Sequence, residues 1–121
     1  MKRLIATRHL VQATIVMTMM VLPASALILL MQDADAGKKI YDKECAKCHG
    51  EDGKGGTKMG KMLKVSDLTQ QPWKHGTSQQ EVAKVIRDGV PKMPKYAAKL
   101  SGEQISQVAF YTRKLGGLVE D

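Results

Sequence analysis

The sequence predicts an all-α domain of three main helices joined by long loops, and three observations carry that prediction. Two helix-starting signatures, Ser78-Gln79-Gln80-Glu81 and Ser101-Gly102-Glu103-Gln104, each stand ahead of apolar residues at helical spacing. No segment shows the two-residue alternation of a half-buried strand. Residues 50–77 contain Gly50, Gly53, Gly55, Gly56, Gly60 and Pro72 without a sustained period, which reads as a wrapping loop with short helical turns.

The first element is not part of that domain. Lys2, Arg3 and Arg8 precede Leu10–Met31, a stretch without charge, in the order of a secretory signal. Ala34-Asp35-Ala36 is a small-x-small box, so residues 1–36 are expected to be a signal peptide and Gly37–Asp121 the mature domain. Cutting at the earlier Ala24-Ser25-Ala26 would leave the greasy Leu27–Met31 exposed. The alternative is an uncleaved N-terminal membrane anchor. Leu10–Met31 reaches the roughly 20 residues that a span needs, although Pro23, Gln12, Thr14 and Thr18 weaken it. Both readings put residues 37–121 in the periplasm or on the outer face of the cytoplasmic membrane.

Within the domain, Gly37–Cys45 reads as a short helix with Ile40, Tyr41 and Glu44 at helical spacing. The second helix starts at the capping box of Ser78 and Glu81, carries Val82, Val85 and Ile86 on one face, and stops at Gly89. Pro91 and Pro94 bracket a rigid turn that holds Met93. Ser101–Leu115 is the terminal helix, with Ile105, Val108, Ala109 and Thr112 inward and Gly116-Gly117 after it. Aromatic residues make up 4% of the 121-residue chain, which is thin for a core. A domain of this size usually needs a staple or a cofactor, and a loop as long as 50–77 is reasonable when it packs on a bulky ligand.

Cys45-Ala46-Lys47-Cys48-His49 supplies the reason for one. C-x-x-C-H is the attachment signature of haem c. Residues three apart on a helical turn share a face, so two thiols reach two vinyl groups on one porphyrin edge. His49 then falls under the ring, where its imidazole can bind the iron axially. Three other readings compete. A redox dithiol wants a preceding strand and a βαβ setting. A zinc site needs two further ligands, and only His75 remains after residue 49. A local disulfide explains neither the adjacent histidine nor the thin core.

On these residues the chain resembles the class I c-type cytochromes over Gly37–Leu118. The attachment motif lies near the start of the domain. Gly37 and Tyr41 precede Cys45 in steps of four, like the family's first helix, where a small and an aromatic residue meet the last helix, here carrying Val108 and Tyr111. Gly89-Val90-Pro91-Lys92-Met93-Pro94 looks like its methionine-ligand loop. The resemblance implies a small cytochrome c-like fold wrapped around one covalent haem c, bound through Cys45 and Cys48, with His49 and Met93 as the axial iron ligands. The family often offers the histidine Nδ1–H a proline carbonyl soon after the motif. No proline stands between His49 and Gln71, so that partner is unassigned.

Met93 has rivals as the sixth ligand in Met59, Met62 and His75, the first two in a Lys-rich stretch suited to a lid or surface. A neutral thioether favours Fe(II) and raises the potential, and two protein ligands leave no open site. Trp73 is expected either to contact the haem face or a propionate, or to anchor the loop. Tyr96 and Tyr111 are expected to pack in the core.

The net charge is +7. Lys47, Lys92 and Lys95 are expected around the exposed haem edge, steering the domain toward acidic docking patches on redox proteins. Nucleic-acid binding is not expected, since there is no recognition motif or aromatic platform and the location is wrong. The leading expectation is an electron carrier, not an enzyme, shuttling single electrons between respiratory or periplasmic partners as a monomer. The alternatives are a haem-bearing subunit of a larger membrane or periplasmic oxidoreductase complex, and an open-site haem enzyme or gas sensor.

Overall fold

The computed structural model describes residues 35–119. The leader or anchor expected over 1–36 therefore falls, but for Asp35 and Ala36, outside the described residues. Helix α1 covers residues 35–44 and passes through one turn residue, Cys45, into α2, Ala46–His49. The Cys45 N–H donates to Tyr41 O at 2.8 Å, and the His49 N–H donates to Cys45 O at 3.0 Å. The predicted first helix is thus longer than Gly37–Cys45 and takes in the whole C-x-x-C-H turn. Gly50, at φ 79°, ends it.

The wrapping loop holds one short helix, α3, Lys58–Leu63. Thr57 caps it by accepting from the Gly60 N–H at 2.9 Å. Its hydroxyl is also shared between the carbonyls of Lys47, at 2.9 Å, and Cys48, at 3.0 Å. One threonine therefore serves the exposed donors of α3 and the exposed acceptors of α2. A Cβ on Gly60 would strike the Cys48 and Gly55 carbonyls, so the residue type lets the loop lie on the attachment turn.

Helix α4, Gln79–Asp88, and helix α5, Gly102–Leu115, begin as predicted. In each, the serine accepts from the backbone of the third helical residue, whose side chain in turn accepts from the serine N–H. Gly89 closes α4 at φ 72°. These two helices pack on each other, and α2 packs on α3. Helix α1 crosses α5 backbone to backbone: Gly37 is buried, and a Cβ there would run into the Gln107 carbonyl and Tyr111 Cβ. One turn later Tyr41, 1% exposed, meets Tyr111 edge-on with ring centroids 5.3 Å apart.

The buried cluster is small: Tyr41, Val82, Ile86, Tyr96, Ile105, Val108 and Ala109. Tyr96 and Tyr111 pack as expected, Tyr96 within this cluster and Tyr111 against it. Among the described residues there is no strand, only an isolated bridge between Val90 and Met93, and no helix is long and apolar enough to cross a membrane.

Candidate functional site

A cavity of about 600 Å³ opens where a core of ordinary side chains would be expected to close. Its walls come from every part of the domain. Helices α1 and α2 contribute Tyr41, Cys45 and His49; the loop contributes 63–68 and 72–76; α4 contributes Val82, Val85 and Ile86; the turn after α4 contributes 90–93. Cofactor pockets usually fall at about 300–1,000 Å³, so the space suits a bound organic group and exceeds a packing defect.

Three of the predicted ligands share this space: Cys45, His49 and Met93 all line it. Cys48 does not, but it sits beside His49 on the same turn, with its N–H on Cys45 O at 3.1 Å. Both cysteines are free thiols and half-buried. Burial, and then the Glu44 carboxylate, push the Cys45 thiol up to about 12, so it stays protonated in the haem-free fold. The disulfide reading finds no support in free thiols. The zinc reading finds none either: among the described residues no group of three or more His, Cys, Asp or Glu is placed to hold a metal ion.

His49 lines the cavity from the end of α2. Burial lowers its pKa, with the Ser66 backbone carbonyl pulling weakly the other way. The imidazole is therefore neutral, with a lone pair available for metal. Its Nδ1 is buried without a partner in full hydrogen-bond geometry. A buried polar atom left unsatisfied costs free energy, and the Ser66 backbone carbonyl lies close enough to the imidazole to influence it. No proline carbonyl is involved, and the Nδ1 partner is not formed in this structure. The nearness of Ser66 was not legible beforehand, because a backbone carbonyl has no residue type.

The other candidates separate. Met59 and Met62 do not line the cavity, and Met62 is 66% exposed. His75 does line it, from an exposed position. Met93 is half-buried, packs against the core cluster and donates its N–H to Val90 O at 2.8 Å. Trp73 lines the cavity too, but its indole N–H is already given to Leu68 O at 3.0 Å. It also packs against Gly116, where a Cβ would strike the ring. Trp73 is thus a wall and a loop anchor, and its N–H is not free for a propionate.

Of the three lysines expected at the rim, Lys92 lines the cavity, whereas Lys47 and Lys95 are exposed on adjoining segments. Lys64 and Lys74 line it as well and were not singled out from sequence. Among the described residues, the ion pairs are Lys38–Asp42, Lys43–Glu44, Lys84–Asp88, Arg87–Asp88 and Lys99–Glu44, all outside the cavity lining. The lysines of the cavity mouth are not neutralised by any of them.

A helical domain with a C-x-x-C-H turn facing an apolar cavity defines a c-type cytochrome, and the solved KustC0563 c-type cytochrome has a similar fold. Its TM-score is 0.58 at 29% identity, over 65% of this chain and 95% of that one. Residues 32–111 match the family described as cytochrome c oxidase, cbb3-type, subunit III, and the chain belongs to that family. Curated relatives include the cbb3-type cytochrome c oxidase subunit CcoP of Azospirillum brasilense, 32% identical over 85 residues, which are 69% of this chain and 29% of that protein. The CcoP subunit of Rhodobacter capsulatus is 38% identical over 92 residues, 69% of this chain and 30% of the relative. A FixP subunit of Bradyrhizobium diazoefficiens is 34% identical over 86 residues, 70% and 28% of the two chains. The match spans under a third of the length of these relatives.

The class I cytochrome resemblance is thus borne out, and with it the all-α fold. Family and fold together make residues 37–118 a c-type cytochrome domain.

Proposed function

We propose that this domain carries one haem c and serves as an electron-transfer subunit of a membrane oxidoreductase complex of the cbb3 oxidase kind. One observation carries the reading: one cavity receives Cys45 and His49 from the attachment turn and Met93 from the loop after α4. The leading expectation from sequence was a free shuttle. The relatives' names favour the fixed-subunit alternative, since they are oxidase subunits.

The residues fit haem c on chemical grounds. When bound, the haem iron supplies a one-electron couple. Two thiols, Cys45 and Cys48, stand three residues apart on a turn and can each add across a vinyl group. Neutral His49 offers a nitrogen from one wall, and Met93 offers a soft sulfur from the loop after α4. Two cysteines in the whole chain allow one such attachment. Trp73, Val82 and Ile86 line the cavity with apolar surface, and a low-dielectric surround raises the potential by disfavouring the more charged ferric state. With His49 and Met93 both offered to a bound haem by this chain, electrons would pass and small ligands would stay out.

Partner choice follows from charge. Lys64, Lys74 and Lys92 at the cavity mouth, with exposed Met62 nearby in sequence, suit a redox partner with an acidic rim around an apolar centre. Export to the outer face of the cytoplasmic membrane, with the leader either removed or kept as an anchor, matches a chemistry in which haem is fixed covalently.

Optical and mass spectra of protein purified from its host test the reading together. The expected protein is coloured after acid–acetone extraction, heavier than its polypeptide by one haem, and inert to carbon monoxide when reduced. Colourless material with two free thiols would remove the haem. Carbon monoxide binding to the untreated protein would return the open-site reading. Loss of the protein from an oxidase complex at modest salt would favour the shuttle.

A further inference from the structure

We infer that Tyr96 is a positioning residue for the sulfur ligand, a clamp that ties the Met93 loop to the haem-attachment helix. The inference rests on the assignment of Met93 proposed above. Tyr96 lies three residues after Met93 and is 8% exposed. Its phenol O–H donates to the Glu44 carbonyl at 2.9 Å, across 52 residues of chain. Glu44 ends α1 and immediately precedes Cys45. This one bond therefore joins the wall that carries Met93 to the wall that carries the attachment turn.

The acceptor exists because of a local feature of the motif. In a continuous helix the Cys48 N–H would point at the Glu44 carbonyl. The turn at Cys45 diverts it instead to Cys45 O, at 3.1 Å. The Glu44 carbonyl is left without its helical donor in a part-buried position, where an unpaired acceptor is costly, and the phenol of Tyr96 meets it. A second contact runs parallel: the Lys99 ammonium lies 3.8 Å from the Glu44 carboxylate and 6.0 Å from the centre of the Tyr96 ring.

The far side of the loop is equally fixed. The Tyr96 N–H donates to Ile86 O at 3.1 Å, and the Ala97 N–H donates to Arg87 O at 3.3 Å, so the chain returns onto the end of α4. Gly89 allows this return at φ 72°, where a Cβ would stand 2.8 Å from Met93 O. The segment from Gly89 to Tyr96 is a closed hairpin seated on α4, and the Tyr96 phenol is its tie to α1. Release of Met93 from a bound iron requires the hairpin to swing outward, and the phenol bond opposes that motion.

The test is displacement of the sulfur by imidazole in the ferric, haem-loaded protein. Tyr96→Phe keeps the ring in the core and removes the tie. One net hydrogen bond corresponds to imidazole binding about three- to tenfold tighter. Ser101→Ala, which removes the cap of α5 away from the loop, lowers global stability and leaves imidazole affinity unchanged. Affinity within twofold of wild type for Tyr96→Phe, or an equal gain for Ser101→Ala, would overturn the clamp. Should Tyr96→Phe fail to mature with haem, Lys99→Met tests the parallel contact, with a smaller gain expected and no gain counting against it. A wild-type ferric spectrum without a sulfur-to-iron charge-transfer band removes the Met93 assignment and the clamp together. A band present, with affinity unaltered in the variants, removes the clamp alone.

Discussion

Gly37→Ala sets two opposing effects against each other, and the structure decides the sign. An alanine inside a helix is intrinsically better than glycine by about 1 kcal/mol. Gly37 lies in α1, so propensity alone predicts a more stable protein. Its Cβ would, however, enter the space held by the Gln107 carbonyl and Tyr111 Cβ of α5, and neither can swing aside as a flexible side-chain tip would. The helices must separate by about an ångström. Overpacking of this kind costs about 1–3 kcal/mol, and loosening the Tyr41–Tyr111 edge contact removes up to about 1.5 kcal/mol more. The net expectation is a destabilisation of about 1–3 kcal/mol. For a domain of this size each kcal/mol lowers Tm by about 4–8 °C. Denaturant unfolding of the haem-loaded protein, followed by far-UV circular dichroism, measures it. Gly102→Ala is the matched control, since nothing lies within 4 Å of a Cβ there; it should be neutral or stabilising by up to about 1 kcal/mol. A Gly37→Ala protein as stable as wild type would refute the close crossing of α1 and α5.

Met93→Ala should leave the haem covalently attached, lower the reduction potential and open the reduced iron to carbon monoxide; unchanged spectra and potential would pass the role to His75. Ser78→Ala should cost about 1 kcal/mol by leaving α4 uncapped, read as a lower denaturation midpoint with the same slope. Hydrogen bonds from the Ser78 N–H and hydroxyl hold the Glu81 carboxyl below its ordinary 4.5. A depressed folded value means that its contribution is present above about pH 4.5 and is lost as pH falls through the lower folded value. Glu81→Gln should therefore flatten the stability profile in that acid window, and an identical profile would dismiss the capping carboxylate. Lys64→Glu or Lys92→Glu should slow electron transfer to an acidic partner and weaken its dependence on ionic strength. Rates insensitive to salt in the wild type would dismiss the steering.

Much of this protein is written in short-range chemistry. Ser78 with Glu81 and Ser101 with Gln104 predicted two helix starts, because a cap is satisfied by residues three apart. Cys45, Cys48 and His49 predicted haem for the same reason: the motif is one helical turn, and its meaning needs no distant partner. Gly37 and Tyr41 pointed to the crossing with α5 through the family resemblance, and the buried glycine and the Tyr111 contact bear it out. What the chain alone could not decide are relations between segments far apart in sequence. Thr57 serving two helices, the Ser66 carbonyl beside His49 and the Tyr96 phenol on Glu44 all involve backbone acceptors, which every residue carries and no residue type signals. Trp73 was ambiguous until the fold engaged its N–H with Leu68. Which methionine faces the cavity depended likewise on how the wrapping loop closes. Local hydrogen bonding selects the elements; packing around a space that side chains do not fill selects which atoms meet in it.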